Sequence, residues 1–140
     1  MISFNYELDF KLEDENLYSD WISKVISSEI KNEGEINYIF CDDDYLLQIN
    51  QQYLDHDTLT DIISFDYSEG NNLHGDIFIS VERVRDNAKD FNVSFDEELK
   101  RVMAHGVLHY CGYKDKSKAD EEIMRQKEEE KMKMFHVKHS

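Results

Sequence analysis

The sequence contains no proline, one tryptophan, two cysteines and five glycines in 140 residues. With no proline, no low-complexity tract and no internal repeat, nothing in it reads as a linker between folded units. The length suits one domain spanning residues 1–140, and a chain this long buries roughly 68–70% of the surface it exposes when unfolded. Cys41 and Cys111 are too few for a disulfide framework and are expected to be reduced thiols. No apolar run approaches the ~18 residues of a membrane span. The N-terminal MISFNYELDF lacks the basic start and apolar run of a secretion signal. These absences exclude a secreted disulfide scaffold and a membrane-spanning protein. The expectation is a soluble, cytoplasmic chain with no membrane partner.

Basic residues are also scarce: 16 Lys and Arg stand against 31 Asp and Glu, a net charge of −15. The imbalance is uneven. Residues 1–113 carry 8 basic and 24 acidic side chains, whereas residues 114–140 carry 8 basic and 7 acidic. A broad basic patch for nucleic acid is therefore excluded, and any RNA contact must be local, metal-assisted or delivered by a partner. The acidity by itself also serves solubility. Eight Phe and eight Tyr argue against a disordered acidic chain.

Hydrophobic periodicity outlines the elements. Ile2, Phe4, Tyr6, Leu8 and Phe10 alternate with polar residues, which predicts a strand over 2–10. Leu17, Trp21, Val25, Ile26 and Ile30 recur at helical spacing over 15–33, with an end near Gly34. Residues 36–41 read as a strand, and Asp42 to Asp44 cap a short helix carrying Leu46, Ile49 and Tyr53. Residues 55–61 form a polar loop before a strand at 62–67. Gly70-Asn71-Asn72 is a hairpin turn leading to an antiparallel strand at 76–81. Helices follow at 81–92, at 94–112 from the capping box Ser94-Phe95-Asp96-Glu97, and at 117–135. Ala119, Ile123, Met132 and Phe135 are the few apolar contacts of the last. The expected fold is α+β: a single domain with a small mixed four-stranded sheet, about five helices, and a metal site at the end of a helix.

One stretch carries chemistry. His105 and His109 lie four apart on a predicted helix, about 40° apart round its axis, with Cβ atoms roughly 5–6 Å apart, close enough to share one metal ion. Gly112 permits a left-handed turn, and Asp115 can fold back as a third ligand. Phe95, Leu99, Val102, Gly106 and Tyr110 form an apolar face within about 80°, and the two histidines lie on its edge. They should therefore emerge at a cleft. The alternatives are a hydrogen-bonded core histidine at 109 and an ordinary turn carboxylate at 115. Zinc peptidases place a glutamate general base after the first histidine; here that residue is Gly106, which argues against peptide hydrolysis. Cys111 lies about 200° round the helix from His109 and reads as packing.

The stretch His105-Gly-Val-Leu-His109-Tyr-Cys-Gly112-Tyr-Lys-Asp115 resembles the HGxLHxxGYxH signature of the YbeY family of bacterial rRNA maturation factors. Asn50-Gln-Gln-Tyr53-Leu54-Asp-His-Asp57-Thr-Leu-Thr60-Asp61-Ile-Ile-Ser64-Phe65 is similar to the family's N-x-x-Y-R-x-x-D-x-x-T-D-V-L-S-F block, and Gly75-Asp76-Ile77-Phe78-Ile79-Ser80 to its G-D-I-x-I-S strand. The resemblance implies a metal-dependent, single-strand-specific endoribonuclease acting in 16S rRNA processing and ribosome maturation. His105, His109 and Asp115 would hold one divalent ion, with zinc as the first choice. Thr60, Asp61, Ser64 and Asp76 would orient those ligands or hold substrate. The implied partners are rRNA or the small ribosomal subunit. Two positions depart from the family: Asp115 stands where it has a third histidine, and Leu54 where it has an arginine that helps catalysis. Lys114 and Lys116 are candidate replacement cations. These departures, with the acidic surface, keep a second expectation open: a ribosome-assembly factor with a mainly structural zinc site that binds a basic ribosomal protein.

Overall fold

The computed structural model describes residues 1–54 and 60–135; most of the polar loop expected at 55–61 lies outside the described residues. Four strands, β1 (Ile2–Tyr6), β2 (Asn32–Cys41), β3 (Ile62–Asp66) and β4 (Asn72–Ser80), form one mixed sheet in the order β1-β2-β4-β3. β1 and β4 run parallel to β2, and β3 runs antiparallel to β4. Among the described residues five helices accompany them: α1 (Glu15–Ser28), α2 (Asp43–Leu54), α3 (Val81–Asp90), α4 (Phe95–Tyr110) and α5 (Lys118–Met132). The α+β class expected from the sequence is the one found.

Strand alternation assigns the two sheet faces. Ile36, Tyr38, Phe40, Leu73, Ile77 and Ile79 point to one side, where they are covered by Trp21, Ile22, Val25 and Ile26 of α1 and by Leu99, Val102, Met103 and Val107 of α4. On the other side Cys41 and Ile63 meet Leu46 of α2. Among the described residues no helix is long and apolar enough to cross a membrane.

Several boundaries differ from the sequence expectation, each for a local reason. The first strand stops at Tyr6 because Phe10 turns in to pack on Phe40 and Phe95, at 5.4 and 5.9 Å between ring centroids. β4 begins at Asn72, directly after the tight turn: Glu69 and Asn72 exchange backbone hydrogen bonds of 3.0 Å around Gly70, whose φ is +59°. Helix α1 ends at Ser28, well before Gly34. The N–H groups of Ile30 and Lys31 donate back to the carbonyls of Ser27 and Ile26, and Ile30 takes the left-handed φ of +58° that this termination requires. Gly34 instead lies inside β2, where a side chain would collide with His74.

Of the contacts expected for the last helix, Phe135 packs on Tyr18 and Trp21 at 5.0 and 5.3 Å between ring centroids, but α5 itself turns another face inward. Met124, Glu128 and Lys131, at spacings of four and three, are its buried residues, and Ile123 is 48% exposed. Lys131 Nζ reaches Glu29 at 2.7 Å and donates to Ser28 Oγ at 2.9 Å, while its carbonyl accepts from Trp21 Nε1 at 2.7 Å. The last helix is thereby tied to α1.

Ile30 is a β-branched residue in left-handed backbone and is 86% exposed, so its side chain returns little for the strain. Ile30→Gly is expected to stabilise the protein by about 1 kcal/mol, read as a higher midpoint in urea at unchanged slope.

Candidate metal centre

Helix α4 presents the histidines. Ser94 caps it by accepting the Glu97 N–H at 3.1 Å, and Asp96, Glu97 and Glu98 place negative charge at the positive end of its dipole. Three contacts fix the helix on the sheet. Tyr38 donates its hydroxyl to the Met103 carbonyl at 2.8 Å. Tyr110 places its hydroxyl between the carbonyls of Phe65 and Asp76, at 2.9 and 3.2 Å. Gly106 sits so close to Ile77 and Ile62 that an added Cβ would stand 3.0 to 3.2 Å from their side chains. His105 and His109 then face the gap between α4, α5 and the start of β3.

The chain reverses at Gly112, with φ +104°, and the N–H groups of Gly112 and Tyr113 donate to the carbonyls of His109 and Leu108. This return brings Asp115 back over the helix end. His105 Nε2 lies 3.0 Å from His109 Nε2 and 3.2 Å from Asp115 Oδ2, and His109 Nε2 lies 3.4 Å from the same oxygen. All three donor atoms fall within 4.8 Å of one another. Two imidazole nitrogens and a carboxylate oxygen converging on one point form a candidate site for a divalent ion.

The structure adds a partner that the sequence reading missed. Glu128 of α5 is 5% exposed, and its Oε2 lies 2.7 Å from His105 Nδ1. A carboxylate there accepts a hydrogen bond from Nδ1–H, which leaves Nε2 to face Asp115 and His109. Glu128 also accepts from Arg101 Nη1 at 3.3 Å, and Arg101 Nε stands 3.6 Å from Glu98. The relevant signal was the 124–128–131 stripe of α5, unreadable by hydrophobicity because two of its three members are charged. Burial opposes the charged form of His105. The hydrogen bond and charge of Glu128, with Asp115 and Asp61, outweigh it and hold the imidazole above the ordinary histidine pKa. Burial raises Asp61 above the usual carboxylate range, against the opposing effect of His105.

A cavity of about 410 Å³ opens onto this cluster, and Thr60, Asp61 and Ser64 line it together with the two histidines and Asp115. Asp76 takes a different place. Strand parity puts it on the opposite sheet face, where it accepts from Asn37 Nδ2 at 3.0 Å. Cys111 forms no part of the cluster, and its thiol is pushed up to about 11 by burial. The cations at this cavity are Arg101 and Arg125, not Lys114 or Lys116.

The family profile described as Endoribonuclease YbeY matches residues 4–136. The chain belongs to the YbeY family. It is 73% identical over 138 residues to the Endoribonuclease YbeY of Flavobacterium psychrophilum, covering 99% of each chain. It is 60% identical over 136 residues to that of Christiangramia forsetii, covering 97% of this chain and 95% of the relative. The solution structure of TM1509 from Thermotoga maritima superposes with a TM-score of 0.68 at 25% identity, over 96% of this chain and 89% of that one. The enzyme class expected from the YbeY resemblance, a nuclease, is the class of the family.

Glu128→Gln keeps the shape and an acceptor while removing the charge behind His105. It is expected to weaken divalent-metal affinity 10- to 100-fold, read by competition with a chromogenic chelator. A proton on His105 competes with the ion, so wild-type affinity should rise as pH rises through the elevated histidine pKa. In the variant that rise should move to lower pH.

Proposed function

We propose that this chain, a one-domain protein, is a metal-dependent endoribonuclease that cuts single-stranded RNA during maturation of 16S rRNA, with one zinc ion held by His105, His109 and Asp115. The observation that carries this reading is the donor triad, all within 4.8 Å, standing in the wall of a cavity with one histidine oriented by a buried carboxylate. Two nitrogens and one oxygen suit zinc and leave room in a four-coordinate shell. A divalent ion at this point would supply Lewis acidity toward a phosphoryl oxygen and concentrated positive charge in a cavity lined by carboxylates. Glu128 holds His105 in the ligating tautomer. Thr60, Asp61 and Ser64 supply polar groups along the same cavity, where substrate is held.

Single-strand preference has a candidate in Phe91. It ends α3, is 57% exposed, and lines the same cavity as the triad. An unpaired base can stack on such a ring, and a paired base cannot. The work is placed in the cytoplasm, on rRNA or the small ribosomal subunit. The net charge of −15 also suits a basic ribosomal protein as a docking partner.

The test is cleavage of single-stranded and duplex rRNA fragments by protein carrying one equivalent of zinc, with chelated protein beside it. Cleavage is expected only with metal and only in single strands; His105→Ala should lose both the metal and the activity. Phe91→Ala should keep the metal and lower kcat/KM by about tenfold. If metal-loaded protein cuts no RNA but still binds a ribosomal partner, the assembly-factor reading replaces this one.

A further inference from the structure

We infer that Arg125 is the cation that grips the RNA phosphate beside the metal centre. The inference rests on the endoribonuclease reading above. The cavity before the triad is lined by four carboxylates, Asp61, Glu98, Asp115 and Glu128, against two guanidinium groups. Such a wall repels a phosphodiester unless fixed positive charge is added to that of the ion.

The two arginines are not equivalent. Arg101 is 14% exposed, and its guanidinium is occupied by Glu98 at 3.6 Å and Glu128 at 3.3 Å. It serves to hold Glu128 in place. Arg125 is exposed and, among the described residues, makes no ion pair or hydrogen bond. It stands three residues before Glu128 on α5 and lines two cavities that share His105, Asp115 and Glu128: the one before the triad and another of about 560 Å³ along α5. A guanidinium with free donors at the junction of the two can meet a phosphate in either. Its planar fork matches two phosphate oxygens at once, which an ammonium cannot do. Lys118 also lines the second cavity, with Glu121 and Glu122 beside it, and Arg125 is the cation that the two cavities share. Residues 114–140, which supply both side chains, carry 8 basic residues against 7 acidic ones. Arg125 neither gives nor takes a proton; it balances charge on the non-bridging oxygens.

The experiment compares zinc-loaded wild type with Arg125→Gln, Arg125→Lys and, as a remote control for the same charge change, Lys24→Gln. Cleavage of single-stranded RNA, binding of a labelled single-stranded oligoribonucleotide and zinc content are measured across a salt series. Arg125→Gln is expected to lose 10- to 100-fold in kcat/KM and to bind with a shallower salt dependence, by somewhat less than one unit in log–log slope. Its zinc content and melting temperature should be unchanged. Arg125→Lys should recover the salt slope but only part of the rate, and Lys24→Gln should match wild type. If wild type cleaves and Arg125→Gln cleaves and binds equally well, the inference is overturned. It is equally overturned if Arg125→Gln fails only by losing zinc. If wild type does not cleave yet its RNA binding depends on Arg125, the nuclease reading falls while the phosphate contact stands; if neither is seen, both fall.

Discussion

Helix α4 lies close against the sheet because two glycines leave out their side chains at the contact. Gly106 on the helix makes room for Ile77 and Ile62, and Gly75 on β4 makes room for the ring of Tyr110. With the helix pressed down, the Tyr110 hydroxyl reaches two strand carbonyls and Tyr38 reaches a third acceptor on the helix itself. The position of both histidines follows from that docking. A glutamate at 106, the residue a zinc peptidase places there, would have to enter a packed contact between helix and sheet. The close approach that builds this centre is thus also what keeps a peptidase base out of it.

The chemistry was legible where it is local. His105, His109, Gly112 and Asp115 span a single turn-and-return of chain, so helical spacing and one left-handed glycine define the cluster without knowledge of the rest. Glu128 was illegible because its contact with His105 crosses 23 residues, and because the buried stripe of α5 is mostly ionised. Thr60, Asp61 and Ser64 line the cavity. Asp76 does not, and strand parity gives the reason: Gly75, Ile77 and Ile79 face α4, so their alternating neighbours face away. The early end of α1 was hidden by Ile30, a residue type that argues against the left-handed backbone it adopts.

Electrostatics unites these parts. In a chain of net charge −15, the buried ionic groups are arranged in chains and not as isolated pairs. Arg101 bridges Glu98 and Glu128, Glu128 supports His105, and Lys131 ties Glu29 and Ser28 to α5. Glu98, Glu128 and Asp115 each face a cation or an imidazole, while Asp61 accepts from the Asn87 amide at 3.5 Å. The Lys131–Glu29 pair holds Glu29 below the ordinary carboxylate range, with the Tyr113 hydroxyl assisting, against the effect of burial.

The place of α5 in the chain has a consequence for synthesis on the ribosome. A nascent polypeptide that has emerged as far as residue 115 already carries all three donor side chains. It still lacks the carboxylate that orients His105, the carbonyl that receives the Trp21 indole, and the ammonium that closes on Glu29. The donors and the sheet beneath them therefore exist before the carboxylate that orients His105, which arrives only when the last helix folds back onto the first.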